Sequence, residues 1–309
     1  MRFFTDADIG AALPWPALIE SIEQILVEPG ATAPARTLHT VPDGKGNDAS
    51  FLLKPGWVAG ELIGVKAVTV FPDNGAQDLP MVQAGVLLFD GATGSLVGAC
   101  EANVLTTRRT AAASAVAAKR LARADARTLL IVGSGALAPM VAQAHAAVRD
   151  FDSIWVWGRD AAKAEAVVDA VAAEGLSAEV VPDLDTAVAQ ADVISCVTGA
   201  TQPIVRGELL RPGAHVDLIG GFNHAMREAD DDVVRRASVF VDTYDDAVIA
   251  GDIAQPLESG VLTRADLVAD LADLVAGTHP GRSSDDEITM FKSAGTALED
   301  LAAARLATG

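Results

Sequence analysis

Cysteine is scarce in this chain. Only Cys100 and Cys196 occur among 309 residues. They match no metal-ligand spacing and no disulfide framework. Their apolar and small neighbours predict buried free thiols and a reducing compartment. The five histidines are scattered without ligand spacing, so no structural zinc is expected. Cations are also few. Lys and Arg total 23 against 42 Asp and Glu, for a net charge of -19 and no basic tract. Such a surface repels DNA, RNA and anionic membranes, although a few local Arg or Lys can still capture a substrate acid. No uninterrupted apolar run reaches the roughly 18 residues of a membrane span. The opening MRFFTDADIGAALPW lacks the apolar core of a signal peptide. A cytoplasmic location is expected, with no nucleic-acid or membrane partner.

The chain does have a large apolar fraction, 50%, and a length that at about 150 residues per domain gives about two domains. Trp15 to Leu26 carries helical apolar spacing and is closed by Pro29 and Gly30. From Arg36 to Cys100, short runs such as 51-FLLKP, 62-LIGVKAVTVF and 85-GVLLFD are separated by Gly, Pro, Asp and Asn, and predict a mostly antiparallel sheet. An Ala-rich helix covers Thr110 to Leu121. Strands at 127–132, 153–157, 178–181, 192–197, 215–220 and 238–242 then alternate with helical stretches, which indicates a parallel sheet with crossover helices. Beyond Asp242 the pattern is helical and acidic, including 263-TRADLVADLADLVAG, and the tail ends in an Ala-Leu helix.

The motif richest in mechanism is 129-LLIVGSGALA, an apolar strand running into G-x-G-x-x-A with a helix behind it. Gly133 permits the sharp turn, Gly135 leaves room for a pyrophosphate, and Ala138 allows close helix–strand contact. The exposed N–H groups around Ala136 and Leu137 would hold phosphates. This is a Rossmann dinucleotide site. At the next strand end, where an acid normally binds the ribose 2′-hydroxyl of NAD, stands Arg159, a fork suited to a 2′-phosphate. NADPH is therefore the preferred cofactor. Asp160 can face the ribose instead, so NADH stays open. Thr198 and Gly199, after the strand 192–197, border the ligand crevice and let the nicotinamide ribose approach.

Arg36, Lys66 and Arg109 precede the nucleotide region. Lys66 sits inside an apolar strand, where a buried ammonium needs a partner or a job. Arg109, with Thr110 after it, opens the long helix and offers a bidentate clamp for a carboxylate. Together the three cations form a candidate pocket for an acid. Lys54 ranks below them because Pro55 beside it suggests a strand edge. No metal site is expected.

The stretches 66-KAVTVFPDN, 85-GVLLFDGATGSLVG, 105-LTTRRTAAASAVAAKRLA, 131-IVGSGALA, 213-GAHVDLIGG and 290-MFKSAGTALEDLAAA resemble the ornithine cyclodeaminase and mu-crystallin family over nearly the full length. The resemblance implies an α/β protein and a homodimer. A Rossmann NAD(P)-binding domain spans 112–286, and an α+β substrate-binding and dimerisation domain spans 1–111, completed by 287–309. It further implies that Arg36, Lys66 and Arg109 hold the substrate carboxylate and the reacting nitrogen centre, that Thr110 touches cofactor phosphate, and that Asn74 lies near the pocket.

One departure narrows the activity. Cyclodeaminases of this family carry an Asp after the equivalent of Gly220-Gly221, whereas this chain has Phe222, which cannot accept a proton. That loss argues against cyclodeamination, and equally against the archaeal type of alanine dehydrogenase. The combination G-S-G-A-L-A-P, V-W-G-R and G-G-F-x-x-x-M-R-E-A-D looks most like bacterial reductases of pyrroline-2-carboxylate and piperideine-2-carboxylate, which make L-proline and L-pipecolate. A small cyclic imino acid is the expected partner, its carboxylate on Arg109 with Arg36 helping. Lys66, His224 or Asp217 is the candidate proton source. The rivals are a reductase or amino-acid dehydrogenase acting on an open-chain imine or keto acid, and a non-catalytic NADPH-binding protein like mu-crystallin.

Overall fold

The computed structural model describes residues 1–44 and 48–309. The chain divides into two units. The first comprises Met1–Arg109 and Thr296–Gly309, and the second Thr110–Gly295.

Among the described residues, the first unit is built on a mixed sheet of seven strands. Arg2–Phe4 pairs in parallel with Leu96–Glu101. Val82–Asp90, Leu62–Val70 and Asp48–Val58 follow as antiparallel neighbours, and Thr37–Pro42 and Ala31–Thr32 both pair with Asp48–Val58. Alternation along the long strands sends Leu52, Lys54, Gly56 and Val58, and likewise Gly64, Lys66, Val68 and Val70, to one buried face. The C-terminal helix lies on it, and Trp15–Leu26, with the buried stripe Leu18, Ile19, Ile22 and Ile25, packs against that helix. Ala297–Thr308 is buried along most of its length. The Ser21 hydroxyl joins them by donating to the Ala302 carbonyl at 3.2 Å.

Gly56 and Gly64 face each other across adjacent strands. A side-chain carbon at Gly56 would lie 3.2 Å from Ala297 Cβ, and one at Gly64 would lie 2.9 Å from Leu301 Cδ1. The paired glycines form a trough that lets the C-terminal helix rest almost directly on the backbone. Lys54 and Lys66 form the next inward-facing pair along the same two strands. The first turn of that helix, with Glu299 and Asp300, meets them there.

The second unit holds an eight-stranded sheet in which every pairing is parallel. Its order is Glu179–Val180, Ser153–Trp157, Thr128–Val132, Val193–Cys196, His215–Leu218, Ile288–Lys292, Ala237–Val241, Leu267–Asp270. The chain order reverses at Thr128–Val132, so a crevice opens between the ends of that strand and Val193–Cys196, where ligands bind in sheets of this kind. Central strands are buried on both faces, and every residue of Val193–Cys196, His215–Leu218 and Ile288–Lys292 is enclosed.

Two expectations change. Leu267–Asp270 lies in a stretch whose Leu and Val spacing reads as helix, yet it pairs with Ala237–Val241 as an edge strand; helix resumes only at Leu271–Ala276. Sheet pairing overrides local periodicity there. The return to the first unit comes at Thr296 rather than 287, because Ile288–Lys292 is needed between two strands of the second sheet. Cys100 and Cys196 are both buried free thiols, as their neighbours suggest. Among the described residues no helix is long and apolar enough to cross a membrane.

Candidate active site

In the first unit, five charged side chains converge below the surface. Lys54 Nζ lies 2.8 Å from Asp300 Oδ2, and Lys66 Nζ lies 2.5 Å from Asp300 Oδ1. Arg109 extends Nε to Asp300 Oδ1 at 2.7 Å and Nη1 to Glu299 Oε2 at 2.6 Å. Lys66 also donates to Thr106 Oγ1 at 3.3 Å. All five charged groups are buried. Arg108, next in sequence to Arg109, serves elsewhere: it donates to the Leu13 carbonyl and lies over the Trp15 ring.

Burial, and then the neighbouring Arg109 guanidinium, push Lys66 well below the ordinary lysine value, against the pull of Asp300. Burial also lowers Lys54, with Asp300 opposing. For Asp300, burial works to raise the pKa, but Arg109, Lys54 and Lys66 together outweigh it and hold the carboxyl well below the usual carboxylate range. The cluster therefore pairs three cationic side chains with two carboxylates, one of which is firmly ionised.

Of the predicted residues, Lys66 and Arg109 stand in this cluster. Arg36 is half-buried and immediately precedes the strand Thr37–Pro42. The ladder of that strand begins at Thr37, opposite Leu53, the residue before Lys54. Lys54, ranked low in the sequence, is as deeply placed as Lys66. Glu299 and Asp300 escaped the sequence reading. Asn74 donates to the Pro80 carbonyl at 2.9 Å in an exposed turn.

In the second unit, a cleft of about 480 Å3 opens at the strand ends. Its walls include Gly133, Ser134 and Gly135 from the glycine-rich turn, Arg159 and Lys163 from the end of the next strand and its helix, and Thr198 and Gly199 from the following crossing. Gly133 has φ of 129°, and a side-chain carbon there would lie 2.9 Å from the Val197 carbonyl oxygen. Only glycine suits that position. At Gly135 a side-chain carbon would meet nothing within 4 Å, so the backbone is open to a ligand. Ala138 is fully buried at the start of the helix Ala138–Ala146. Ala136 is exposed and Leu137 half-buried in the turn leading to it, and Thr110 is half-buried in the helix Asn103–Leu121. These three lie outside the set of residues lining the cleft.

Arg159 is exposed, and its guanidinium has no protein partner among the described residues. Asp160 Oδ1 is engaged as the cap of the helix Ala161–Ala173, accepting from the N–H groups of Ala162 and Lys163. Lys163, unmarked in the sequence reading, adds a second cation to the same wall.

The two other proton candidates belong to the second unit and lie outside the residues lining its cleft. His224 Nε2 is 3.0 Å from Glu258 on the exposed surface. Asp217 is fully buried, accepting from Ser195 Oγ at 2.7 Å and from Ser114 Oγ, with burial raising it to about 6.

The model of the ornithine cyclodeaminase/mu-crystallin family matches residues 5–308. The chain belongs to that family. It is 38% identical over 283 residues to Protein SAR DEFICIENT 4 of Arabidopsis thaliana, covering 89% of this chain and 86% of that one. It is 37% identical over 304 residues to delta(1)-pyrroline-2-carboxylate reductase of Paracoccus denitrificans, covering 97% and 94%. Among solved structures, Thermococcus litoralis delta(1)-pyrroline-2-carboxylate reductase in complex with NADH and L-proline superposes with a TM-score of 0.94 at 32% identity, over 99% of this chain and 96% of that chain. The two-unit α/β architecture, a Rossmann-type parallel sheet and a mixed sheet, is that of this family.

Proposed function

We propose that this chain is an NAD(P)H-dependent ketimine reductase that converts delta(1)-pyrroline-2-carboxylate, delta(1)-piperideine-2-carboxylate or both to L-proline and L-pipecolate. The observation that carries this reading is the charge balance of the first-unit cluster. Three buried cations face two buried carboxylates. A buried excess cation is costly until an anion joins it, so the cluster is built to accept one carboxylate. The relatives named above as reductases act on or bind such an acid.

Arg109 holds the substrate carboxylate, with Arg36 assisting, and Lys66 gives a proton from Nζ to the imine nitrogen. A lysine held well below its ordinary value gives up its proton more readily than a solvated one. Once the proton has moved, Lys66 is neutral and no longer repels the iminium it has made. Burial lowered its proton affinity, so the same burial that destabilises the ammonium drives the transfer.

When bound, the reduced nicotinamide cofactor supplies the hydride. Gly133, Gly135, Thr198 and Gly199 would hold it, with Ala136, Leu137 and Thr110 contributing to phosphate binding. The fit rests on the open backbone at Gly135 and the left-handed turn at Gly133. NADPH is the preferred form, because Arg159 and Lys163 offer two cations to a 2′-phosphate while Asp160 is engaged in capping its helix. NADH remains a working alternative.

We further infer a homodimer in the cytoplasm. Ile63, Leu87, Val97 and Phe3 are exposed on the first unit's sheet, an apolar surface suited to a second copy. The buried free thiols fit a reducing setting.

The deciding experiment follows nicotinamide absorbance with five- and six-membered cyclic imine acids, and with keto acids plus ammonia or methylamine, against NADPH and NADH. Turnover of a cyclic imine acid, faster with NADPH, is expected. Turnover confined to open-chain substrates, or cofactor binding without turnover, overturns the reading.

A further inference from the structure

Behind the cleft of the second unit lies a buried carboxylate that the proposed reaction leaves unused. Glu228 is fully buried. Its Oε1 accepts from the Thr198 N–H at 2.7 Å and from the Thr198 hydroxyl at 2.8 Å. Its Oε2 accepts from the Gly220 N–H at 2.8 Å and the Gly221 N–H at 3.4 Å. One side chain thus ties the segment leaving strand Val193–Cys196 to the segment leaving strand His215–Leu218. Thr198 is a wall of the cleft. The two segments are so close that any side chain at Gly220 would collide with the Thr198 backbone.

Glu228 is itself fixed. Asp252 Oδ1 accepts from the Glu228 N–H at 2.7 Å and the Ala229 N–H at 3.2 Å, and Asp252 Oδ2 is 3.0 Å from Lys292 Nζ. Four donors are gathered on one carboxylate, and two of them belong to a residue that faces the ligand space.

We propose that Glu228 is a positioning residue, whose ionised carboxylate fixes Thr198 in the cleft wall and thereby sets the affinity for the dinucleotide. This inference rests on the cleft being the cofactor site. Each oxygen already accepts two donors, so a proton added to either one displaces a bond and loosens Thr198. The groups around Glu228 are Lys292 on strand Ile288–Lys292, Asp252 on helix Gly251–Ser259 and Cys196 on strand Val193–Cys196; Asp217 on strand His215–Leu218 acts on Cys196 and is held by Ser114 and Ser195. Arg227, adjacent in sequence, turns to Asp231 instead. Burial raises Glu228 to about 7, with Lys292 opposing and Asp252 reinforcing.

The test measures NADH binding by nicotinamide fluorescence from pH 6 to pH 8.5 for the full chain and for Glu228→Gln; NADH is chosen because it has no 2′-phosphate to titrate. For the unsubstituted chain the dissociation constant should rise about tenfold as pH falls through the Glu228 titration, as one linked proton requires. Glu228→Gln should bind about tenfold more weakly at pH 8, the loss expected of charge-assisted hydrogen bonds, and its pH profile should be flat. Parallel profiles for the two proteins overturn the inference. If Glu228→Gln does not fold, the profile of the unsubstituted chain decides alone: a flat one overturns the inference, and a single-proton rise supports it. Absence of dinucleotide binding at every pH, to NADH and NADPH alike, would instead overturn the cofactor reading.

Discussion

Lys54 and Lys66 are cross-strand neighbours that reach opposite oxygens of one carboxylate, Asp300. Two like charges side by side in a sheet repel, and burial strengthens the repulsion. Asp300 reverses the sign of that interaction. The carboxylate arrives from the first turn of the last helix, where the positive end of the helix dipole also favours it. The paired glycines one step along the same strands let the helix come near enough to place it.

Asp300→Asn should therefore destabilise the first unit by about 3–5 kcal/mol near neutral pH, the cost of stranding a buried charge. The pH dependence has a definite sign. Asp300 is depressed below its ordinary value of 3.8, so its stabilisation is full above that value and is lost as pH falls toward the folded-state pKa. Denaturant unfolding at pH 7 and at pH 3 should show the gap between the two proteins narrowing in acid. An equal gap at both values would show that Asp300 is not the counter-ion described.

Much of this arrangement is legible in the sequence, and the illegible part has a physical cause. Lys66 and Arg109 stand out because a charge inside an apolar pattern needs explaining. Gly133 and Gly135 stand out because the turn they make follows a strand and precedes a helix. Glu299 and Asp300 give no such signal, since acids near a helix start are ordinarily solvated. Their meaning depends on contacts with residues 190 and 234 positions away. One local hint was available: in A-L-E-D-L-A-A-A the acids are flanked by apolar residues with no polar face to point them outward. Lys54 looked peripheral beside Pro55, yet the proline lies on the opposite face of the strand from the inward-pointing lysine. Ile288–Lys292 reads as part of a tail because strand order in a parallel sheet is a non-local property.

Arg109→Lys is the sharpest test of the substrate clamp. Arg109 already binds Glu299 and Asp300 through two of its nitrogens, which fixes the plane and direction of the whole guanidinium. A lysine ammonium is a compact point charge and cannot match that geometry. The variant keeps the charge, so folding should be largely retained while kcat/KM for the cyclic imine acid falls by about a hundredfold. Most of the loss should appear with substrates that carry a carboxylate, and an imine lacking one should show little change. A similar loss on both substrates would assign Arg109 to structure alone.

Coenzyme choice should turn on Arg159 and Lys163. The two cations share the cleft wall where the acid that usually selects NAD is replaced, and Asp160 is engaged in capping its helix. Arg159→Ala should lower the preference for NADPH over NADH by about tenfold, and adding Lys163→Ala should lower it about tenfold again, each an ordinary loss for one charge-assisted contact to phosphate. The change should fall on NADPH, leaving KM for NADH nearly unaltered, because NADH has no 2′-phosphate to lose. Initial rates with both coenzymes at constant imine concentration measure this directly. If NADH and NADPH weaken together, the pair contacts a part of the dinucleotide common to both, and the preference has another source.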